Sequence, residues 1–561
     1  MTSPLLRKNP PTRIQIPSTL DIQLTPPENQ LCTLLNDCTL SLKQSKNINT
    51  SCRIAGGWVR DKLLHLQCND IDIALSDIMG LSFAEHLATF ANERGVGTGT
   101  ISKIAQNPDQ SKHLETATLK LGELNVDLVN LRSEEYAKES RIPTQVTFGT
   151  PLQDALRRDI TINTLFFNIH SRKIEDFTGK GLDDLRNGII RTPLPPRETF
   201  LDDPLRILRC IRFASRFGFG IVADIKDAAL DPTIQNALVS KVARERIGEE
   251  VTKMMTGHDP LFSIQLIHDM SLHLPIFSAI PDEIKSSFLA PPAPEKTALV
   301  ASLILHTLLK SVDEGIEDRL PNLHRFFFTA IKSDPSCISR LFLASLLTPF
   351  AGVTYLDKKE QSRCVINIVL RESLKLGTQY HFLDGIPLLF AAHRLLKDPH
   401  LNKKRFQHPT PRVAIGSLLR HKDIHNVHKG AHWTSSIFFA LVQDLVQCYD
   451  LEENLFDFTH ASIIIGNYNK FLEQIEQLGL AEVTELKPLM DGRELIRIIG
   501  ATKPGPWTGN LLARISEWQI EHPRGTKEAC IDWLLNEKRQ GGIICEDGII
   551  SEPATKRVRT T

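Results

Sequence analysis

The rhythm of hydrophobic and polar positions changes along the chain. Between about residues 30 and 195, short β-forming runs alternate with helical stretches and glycine turns. Cys52–Ala55, Asp70–Leu75, Leu124–Leu131, Leu165–Ile169 and Ile189–Thr192 read as strands. From Leu201 onward the period becomes helical. Ala243, Ile247, Val251 and Met254 recur on one helix face. Leu299–Leu309, Ser339–Leu347, Gly385–Leu396 and Ser435–Val446 predict further helices with a buried face. No fixed-period repeat is present. The pattern predicts one α/β head followed by a long helical scaffold. Segment 397–412, polar, basic and punctuated by Pro399, Pro409 and Pro411, predicts a loop, and the last dozen residues read as disordered.

Length refines this picture. A chain of 561 residues exceeds one ordinary core and implies roughly three or four packed units. Lys plus Arg and Asp plus Glu both number 66, so the whole molecule carries no field that would gather a polyanion. Any nucleic-acid contact therefore needs locally clustered cations. The ten cysteines are irregularly spaced and form no Cys-x-x-Cys pair, which argues against a disulfide framework or zinc ribbon and for a reducing compartment. Apolar runs such as Ala298–Leu305 and Leu341–Leu347 are too short to span a membrane. Arg7, Lys8 and Arg13 with no acid in the first seventeen residues hint at a mitochondrial presequence, but Pro4, Pro10, Pro11 and Pro17 oppose its amphipathic helix. Lys556-Arg557-Val558-Arg559 reads either as a nuclear signal or as a solvated tail. Cytoplasm, nucleus and mitochondrion all remain open.

The candidate chemistry begins with Arg53-Ile-Ala-Gly-Gly-Trp-Val-Arg-Asp-Lys62 and Asn69-Asp-Ile-Asp-Ile-Ala74. Gly56-Gly57 permits a sharp turn and exposes backbone N–H groups. The helix starting at Trp58 offers its N-terminal end to phosphate, and Arg60 adds a fixed cation. Period two places Asp70 and Asp72 on one strand face about 7 Å apart, with Ile71 and Ile73 on the buried face. Two such acids beside a phosphate cradle suit a pair of Mg²⁺ ions, whose shells are completed by phosphate oxygens and water. Asp127, in Asn125-Val-Asp-Leu-Val-Asn-Leu-Arg132, has the strand context of a third acid and is equally able to pair with Arg132.

Gly56–Asp61 followed by Asp70–Asp72 resembles the signature of the class II branch of the polymerase-β-like nucleotidyltransferase superfamily, which holds tRNA nucleotidyltransferases and bacterial poly(A) polymerases. Arg157-Arg158-Asp159 with Asn163 resembles its next block, whose two cations would bind triphosphate or ribose oxygens. Glu175–Leu185 resembles the linker between head and neck, with Gly179 and Gly181 suited to a hinge. Asp202-Asp-Pro-Leu-Arg-Ile-Leu-Arg-Cys-Ile-Arg212 resembles the base-recognition block, although the family has Glu where Asp202 stands. Pro204 marks a helix start with Asp202 or Asp203 as cap. Asp203 and Arg206, about one turn apart, offer an acceptor for an exocyclic amine and donors for a ring acceptor. That pairing accepts C and A and rejects G and U without a template. The resemblance adds Arg209 and Arg212 to the nucleotide site, although Arg212 drifts off the face of Asp203 and reads as structural. Arg244–Glu250 resembles the block that braces this helix, with Ala243 where Ser is expected, and its Glu245, Arg246 and Glu250 read as scaffold ion pairs.

Asn107–Glu115 reads as a mobile loop followed by a strand. The stretch from it through Ser133-Glu-Glu-Tyr136 looks like the eukaryotic form of the tRNA enzyme. Lys487-Pro-Leu-Met-Asp-Gly492 and Lys503-Pro-Gly-Pro506 resemble tail motifs. Lys403, Lys404, Arg405, Arg412, Arg420 and Lys422 form either an RNA-binding surface or an ordinary solvated loop.

The expectation is an α+β protein: an N-terminal extension (1–29), a polymerase-β-like head with a mixed or antiparallel sheet (30–195), then an all-α neck (196–285), body (286–480) and tail (481–561). The resemblance implies an enzyme that adds CCA to the 3′ end of tRNA from CTP and ATP with two Mg²⁺ ions, releasing pyrophosphate, with no membrane and no obligate protein partner. A partial enzyme adding only CC or only A, a poly(A) polymerase and a non-catalytic RNA-binding protein are the alternatives. The last would have no use for Asp70 and Asp72 beside Gly56-Gly57.

Overall fold

The computed structural model describes residues 13–104, 116–136, 143–310 and 320–540. The Asn107–Glu115 loop, Arg7, Lys8 and Lys556–Arg559 lie outside the described residues. The chain divides into two compact units, Met1–His306 with Ser339–Leu383, and Thr307–Ile338 with Asp384–Thr561.

The first unit opens with helix α1 (Pro26–Lys46), started by a Thr25–Glu28 capping box and Pro26. Strand β1 (Cys52–Ala55) leads through Gly56 into the short helix α2 (Gly57–Leu63). Strand β2 (Ile71–Leu75), helix α3 (Gly80–Glu93), strands β3 (Ser102–Ile104), β4 (Thr116–Leu121) and β5 (Leu124–Asn130) follow. Next come a hairpin of β6 (Arg132–Tyr136) and β7 (Pro143–Phe148), helix α4 (Pro151–Leu156), and strands β8 (Phe166–Asn168) and β9 (Lys173–Glu175). A seven-stranded sheet results, in the order β3-β4-β5-β2-β1-β8-β9. Only β2 and β5 run parallel; the other neighbours are antiparallel, so the sheet is mixed as expected. Ile71 and Ile73 are buried beneath β2, as period two requires. The strand begins at Ile71, so Asp70 is an exposed flanking residue rather than its first member.

Helix α5 (Gly181–Asn187) and strand β10 (Ile189–Ile190) close the head. Gly181 is closely packed. A Cβ there would stand 2.7 Å from Leu165 Cδ2 and 2.9 Å from the Thr161 carbonyl, so the glycine serves close packing. The turn before it is tied down by Asp176, which accepts N–H bonds from Gly179 and Leu182.

The helical scaffold starts earlier than its periodicity indicated. Helix α6 (Pro196–Asp202) begins on a proline, which the first helical turn tolerates because its missing N–H would have had no partner. Asp202 therefore ends α6 rather than capping the next helix. Helix α7 (Leu205–Phe217) follows, with Asp203 accepting the Leu205 N–H at 3.2 Å. Strand β11 (Gly220–Ile221) and helices α8 (Ala223–Ala229), α9 (Pro232–Lys241), α10 (Arg244–Met255) and α11 (Pro260–Asp269) continue. Ile247, Val251 and Met254 are buried along α10. Ala243 caps α10 without a side-chain hydrogen bond. Arg244 holds that end instead, donating to the carbonyls of Ser373, Pro275 and Ile276.

In the second unit, helix Trp433–Val446 is buried along nearly its whole length, and Leu495, Ile499, Leu511, Ile515, Cys530 and Leu534 from three later helices form a separate small core. Segment 397–412 is largely irregular, with helix Pro411–Leu419 starting at its end. Several cations of this segment and of the helix after it are used inside the fold. Arg405 donates to the Leu395 and Lys397 carbonyls, Arg412 to Ile520 and Leu478, and Arg420 to Val483 and Leu486. Each of those three guanidiniums is tied to backbone carbonyls at or beside helix ends, with Arg405 still exposed. The nine described cysteines are free. Among the described residues no helix is long and apolar enough to cross a membrane.

Candidate active site

At the end of β1 the chain turns through Gly56, whose φ of +71° belongs to glycine. A Cβ on Gly56 would stand 2.5 Å from Arg158 Nη1, so the glycine also lets that guanidinium lie against the turn. Trp58 is fully buried and donates to Glu28 at 3.3 Å, anchoring α2 to α1. Helix α2 has only seven residues, so the positive field at the turn comes more from the fixed cations around it than from the helix dipole.

Register brings the acids together. Asp72 on β2 is paired with Asp127 on β5, and Asp127 with Thr118 on β4. All three therefore share one sheet face, and Thr118 Oγ1 donates to Asp127 Oδ1 at 2.6 Å. Burial pushes the Asp72 carboxyl above the usual carboxylate range, and the like charges of Asp127 and Asp70 add to the shift against the opposing Arg158 and Arg132. Crowded carboxylates with an opening to solvent make a hard-oxygen donor set that a divalent cation would relieve. Among the described residues no three His, Cys, Asp or Glu side chains close around one point as an all-protein cage. That open donor set fits Mg²⁺, whose remaining positions a polyphosphate and water would fill.

Beside the acids lies a cavity of about 540 Å³. Its lining includes nine arginines against three aspartates, so a chain with no net charge gathers a local positive field. Of the residues expected at the site, Gly57, Arg60, Asp72, Arg157, Arg158, Asp203, Arg206, Arg209 and Arg212 line this cavity. Gly56, Asp70 and Asp127 are not among its lining residues: Gly56 lies behind Arg158, and Asp127 adjoins Asp72 in the sheet.

The side chains are held by an alternation of charge. Arg60, only 3% exposed, pairs with Asp61, donates to Asn163 Oδ1 and lies about 5 Å from the ring centroids of Phe213 and Phe217. Asp61 also receives Arg216 at 3.1 Å. Arg209 pairs with Asp159 at 2.7 Å. Burial opposes ionisation of Asp159, but Arg209, the Asn163 amide and the Ile160 N–H together hold its carboxyl well below the usual range. Arg212 binds Glu250 at 2.5 Å and stacks on Phe213, the bracing contact expected when it drifts off the face of Asp203.

Asp203 and Arg206 both face the cavity without forming an ion pair. Asp203 Oδ2 takes Arg246 at 3.3 Å, and Arg206 Nη2 donates to the Arg157 carbonyl at 2.6 Å. Arg246, read from the sequence as scaffold, thus holds the carboxylate expected to read the base. Arg132, Asn163, Phe213 and Arg216 also line the cavity. Arg216 had a sequence signal: it extends the Arg206, Arg209, Arg212 stripe by one more turn of α7. Arg132 was read from the sequence only as a possible partner of Asp127.

A Gly56→Ala change strains the positive φ by about 1–2 kcal/mol and displaces Arg158. Triphosphate affinity is expected to fall at least about tenfold, read by calorimetric titration. Unchanged affinity would separate the glycine turn from the anion site.

Comparison with known proteins gives the same direction. Residues 52–191 match a family model described as the poly A polymerase head domain. The chain is 36% identical over 528 residues to the mitochondrial CCA tRNA nucleotidyltransferase of Candida glabrata, covering 91% of this chain and 96% of that protein. It is 36% identical over 531 residues to the mitochondrial CCA tRNA nucleotidyltransferase of Saccharomyces cerevisiae, covering 91% and 93%. The fold is similar to that of a CCA-adding enzyme solved in an apo form, with a TM-score of 0.57 at 20% identity, covering 92% of this chain and 96% of that one.

Proposed function

The chain belongs to the CCA tRNA nucleotidyltransferase family, and from that premise we propose how its own residues carry the reaction. The enzyme adds cytidine, cytidine and adenosine to the 3′ end of tRNA, taking CTP and ATP and releasing pyrophosphate. The 3′ hydroxyl oxygen forms a bond to the α-phosphorus, the bond to the pyrophosphate oxygen breaks, and the hydroxyl proton leaves to solvent or a nearby base.

Asp70 and Asp72, with Asp127 behind them, are the residues that would hold magnesium, which supplies charge neutralisation and a more acidic attacking hydroxyl. Arg157 and Arg158 orient the triphosphate. Asp203 accepts the exocyclic amine of cytosine or adenine, and Arg206 donates to the ring acceptor. Residues 30–195 carry the chemistry and 196–285 the base choice, 286–480 form a helical body, and the tail, 481–561, binds the tRNA. The observation that supports this reading most is one arginine-rich cavity with Asp72 on one wall and Asp203 and Arg206 on another. Following relatives named as mitochondrial, we place the enzyme in the mitochondrion, with nucleus and cytoplasm as further sites.

The test uses purified full-length protein and three tRNAs, lacking the whole CCA, lacking the last two nucleotides, or lacking the final adenosine. All three are expected to be extended to a CCA end and no further. Extension of only one or two would make this a partial enzyme, and a long A tail would make it a poly(A) polymerase.

A further inference from the structure

Arg157 and Arg158 are adjacent in sequence, and two adjacent guanidiniums repel. Both nevertheless point toward the same cavity. The feature that permits this is Asp154, one turn earlier on α4. Its side chain is 2% exposed. Asp154 Oδ1 accepts Arg157 Nε at 2.8 Å and Nη2 at 2.5 Å; Oδ2 accepts Arg158 Nε at 3.1 Å and Nη2 at 2.8 Å. Each oxygen grips the same edge of one guanidinium, so a single carboxylate clips two arginines side by side.

Local sequence builds the clip. Thr150 and Gln153 form a capping box with Pro151 at the first turn, fixing where α4 starts. Asp154 in that turn then lies three and four residues before the two arginines, the spacing at which helix neighbours meet. Helix α4 ends at Leu156, so the arginines fall on the turn that leaves it.

The charge balance is the functional point. Two guanidiniums share one carboxylate, so Asp154 offsets only part of their positive charge. Arg158 is held further by its Nη1 bond to the Asn163 carbonyl at 3.1 Å and by the Phe166 ring 5.3 Å away. This places it against Gly56, where the phosphate-binding turn begins. Binding to Asp154 uses Nε and Nη2 of each arginine.

We infer that Asp154 is a positioning residue for the triphosphate: it sets Arg157 and Arg158 as a paired anion clamp for the phosphate chain common to both nucleotide substrates. It touches neither base nor RNA. The inference rests on the reading of the cavity as the nucleotide site and adds the group that orders its cations.

The experiment compares wild type, Asp154→Asn and Asp154→Glu in single-nucleotide addition, with CTP on a tRNA lacking CCA and ATP on a tRNA lacking the final adenosine. Asparagine keeps the shape but lacks the charge and one acceptor. KM for CTP and for ATP are expected to rise together, about tenfold or more, with kcat changed less than about threefold and KM for tRNA unchanged. Inhibition by inorganic tripolyphosphate should weaken by the same factor, and CTP over UTP preference should stay constant. Asp154→Glu, which restores the charge, should recover most of the nucleotide KM. Unchanged nucleotide KM and tripolyphosphate inhibition in Asp154→Asn would overturn the inference. So would a rise confined to one nucleotide, or loss of fold, judged by circular dichroism, in both variants. Failure of wild type to add CCA would instead strike the underlying reading of the site.

Discussion

Replacing Asp72 by alanine is expected to lower nucleotide addition by about 10³-fold or more, with the fold intact. The side chain is half-buried on a sheet face, so its removal leaves no large void, and Ile71 and Ile73 keep β2 on the core. What is lost is the acid nearest the register centre of the cluster, between Asp70 in sequence and Asp127 across the sheet. Stabilising charge in phosphoryl transfer carries most of the catalysis, because the protein has little covalent work to do. Asp70→Ala is expected to be as damaging, since an open site depends on both carboxylates. Asp127→Asn should cost less: its carboxylate already accepts a hydrogen bond from Thr118, and an asparagine oxygen can keep it. Incorporation of labelled CTP into a tRNA lacking CCA, with a thermal melt of each variant, checks the series. Near-normal turnover in Asp72→Ala would remove the metal assignment.

How much of this site could be read in advance follows from which contacts are local. The glycine turn was legible because turn geometry fixes it within a few residues, whereas strand period placed Asp72 on its face of β2 but not Asp70, which lies just before the strand. Asp127 acquired its meaning only when β5 paired in parallel with β2, a long-range choice that a single strand does not encode. Asp203 and Arg206, one turn apart in sequence, do not contact each other, for a local reason. Asp203 has φ −137° and ψ 99°, outside the helix, so helical spacing does not govern its side chain, and Arg246 from α10 takes the carboxylate instead. Basic residues were the least legible. Arg412 and Arg420 have the composition of an RNA surface, yet they donate to backbone carbonyls, and composition cannot tell those two uses apart.

Those same contacts set the expected effect of changing the two residues proposed to read the base. In the folded protein Asp203 is held at two points, by the Leu205 N–H on one oxygen and Arg246 on the other. Arg206 is buried and pinned to the Arg157 carbonyl. Both groups are therefore aimed before a nucleotide arrives, which is the condition for selecting a base without a template strand. An exocyclic amine on cytosine or adenine satisfies the carboxylate, whereas the carbonyl of uracil or guanine meets it with like polarity. Asp203→Ala is expected to reduce CTP over UTP preference in kcat/KM about 10- to 100-fold, the worth of one good polar pair. Part of the change should come from rising UTP use, because the repulsive group is gone. Arg206→Ala should mainly lower CTP and ATP use, since it removes a donor without admitting uracil. Competition assays with both nucleotides on one tRNA separate these outcomes. Equal losses for CTP and UTP in Asp203→Ala would mean that the carboxylate shapes the cavity without reading the base, and that the selecting acceptor lies elsewhere.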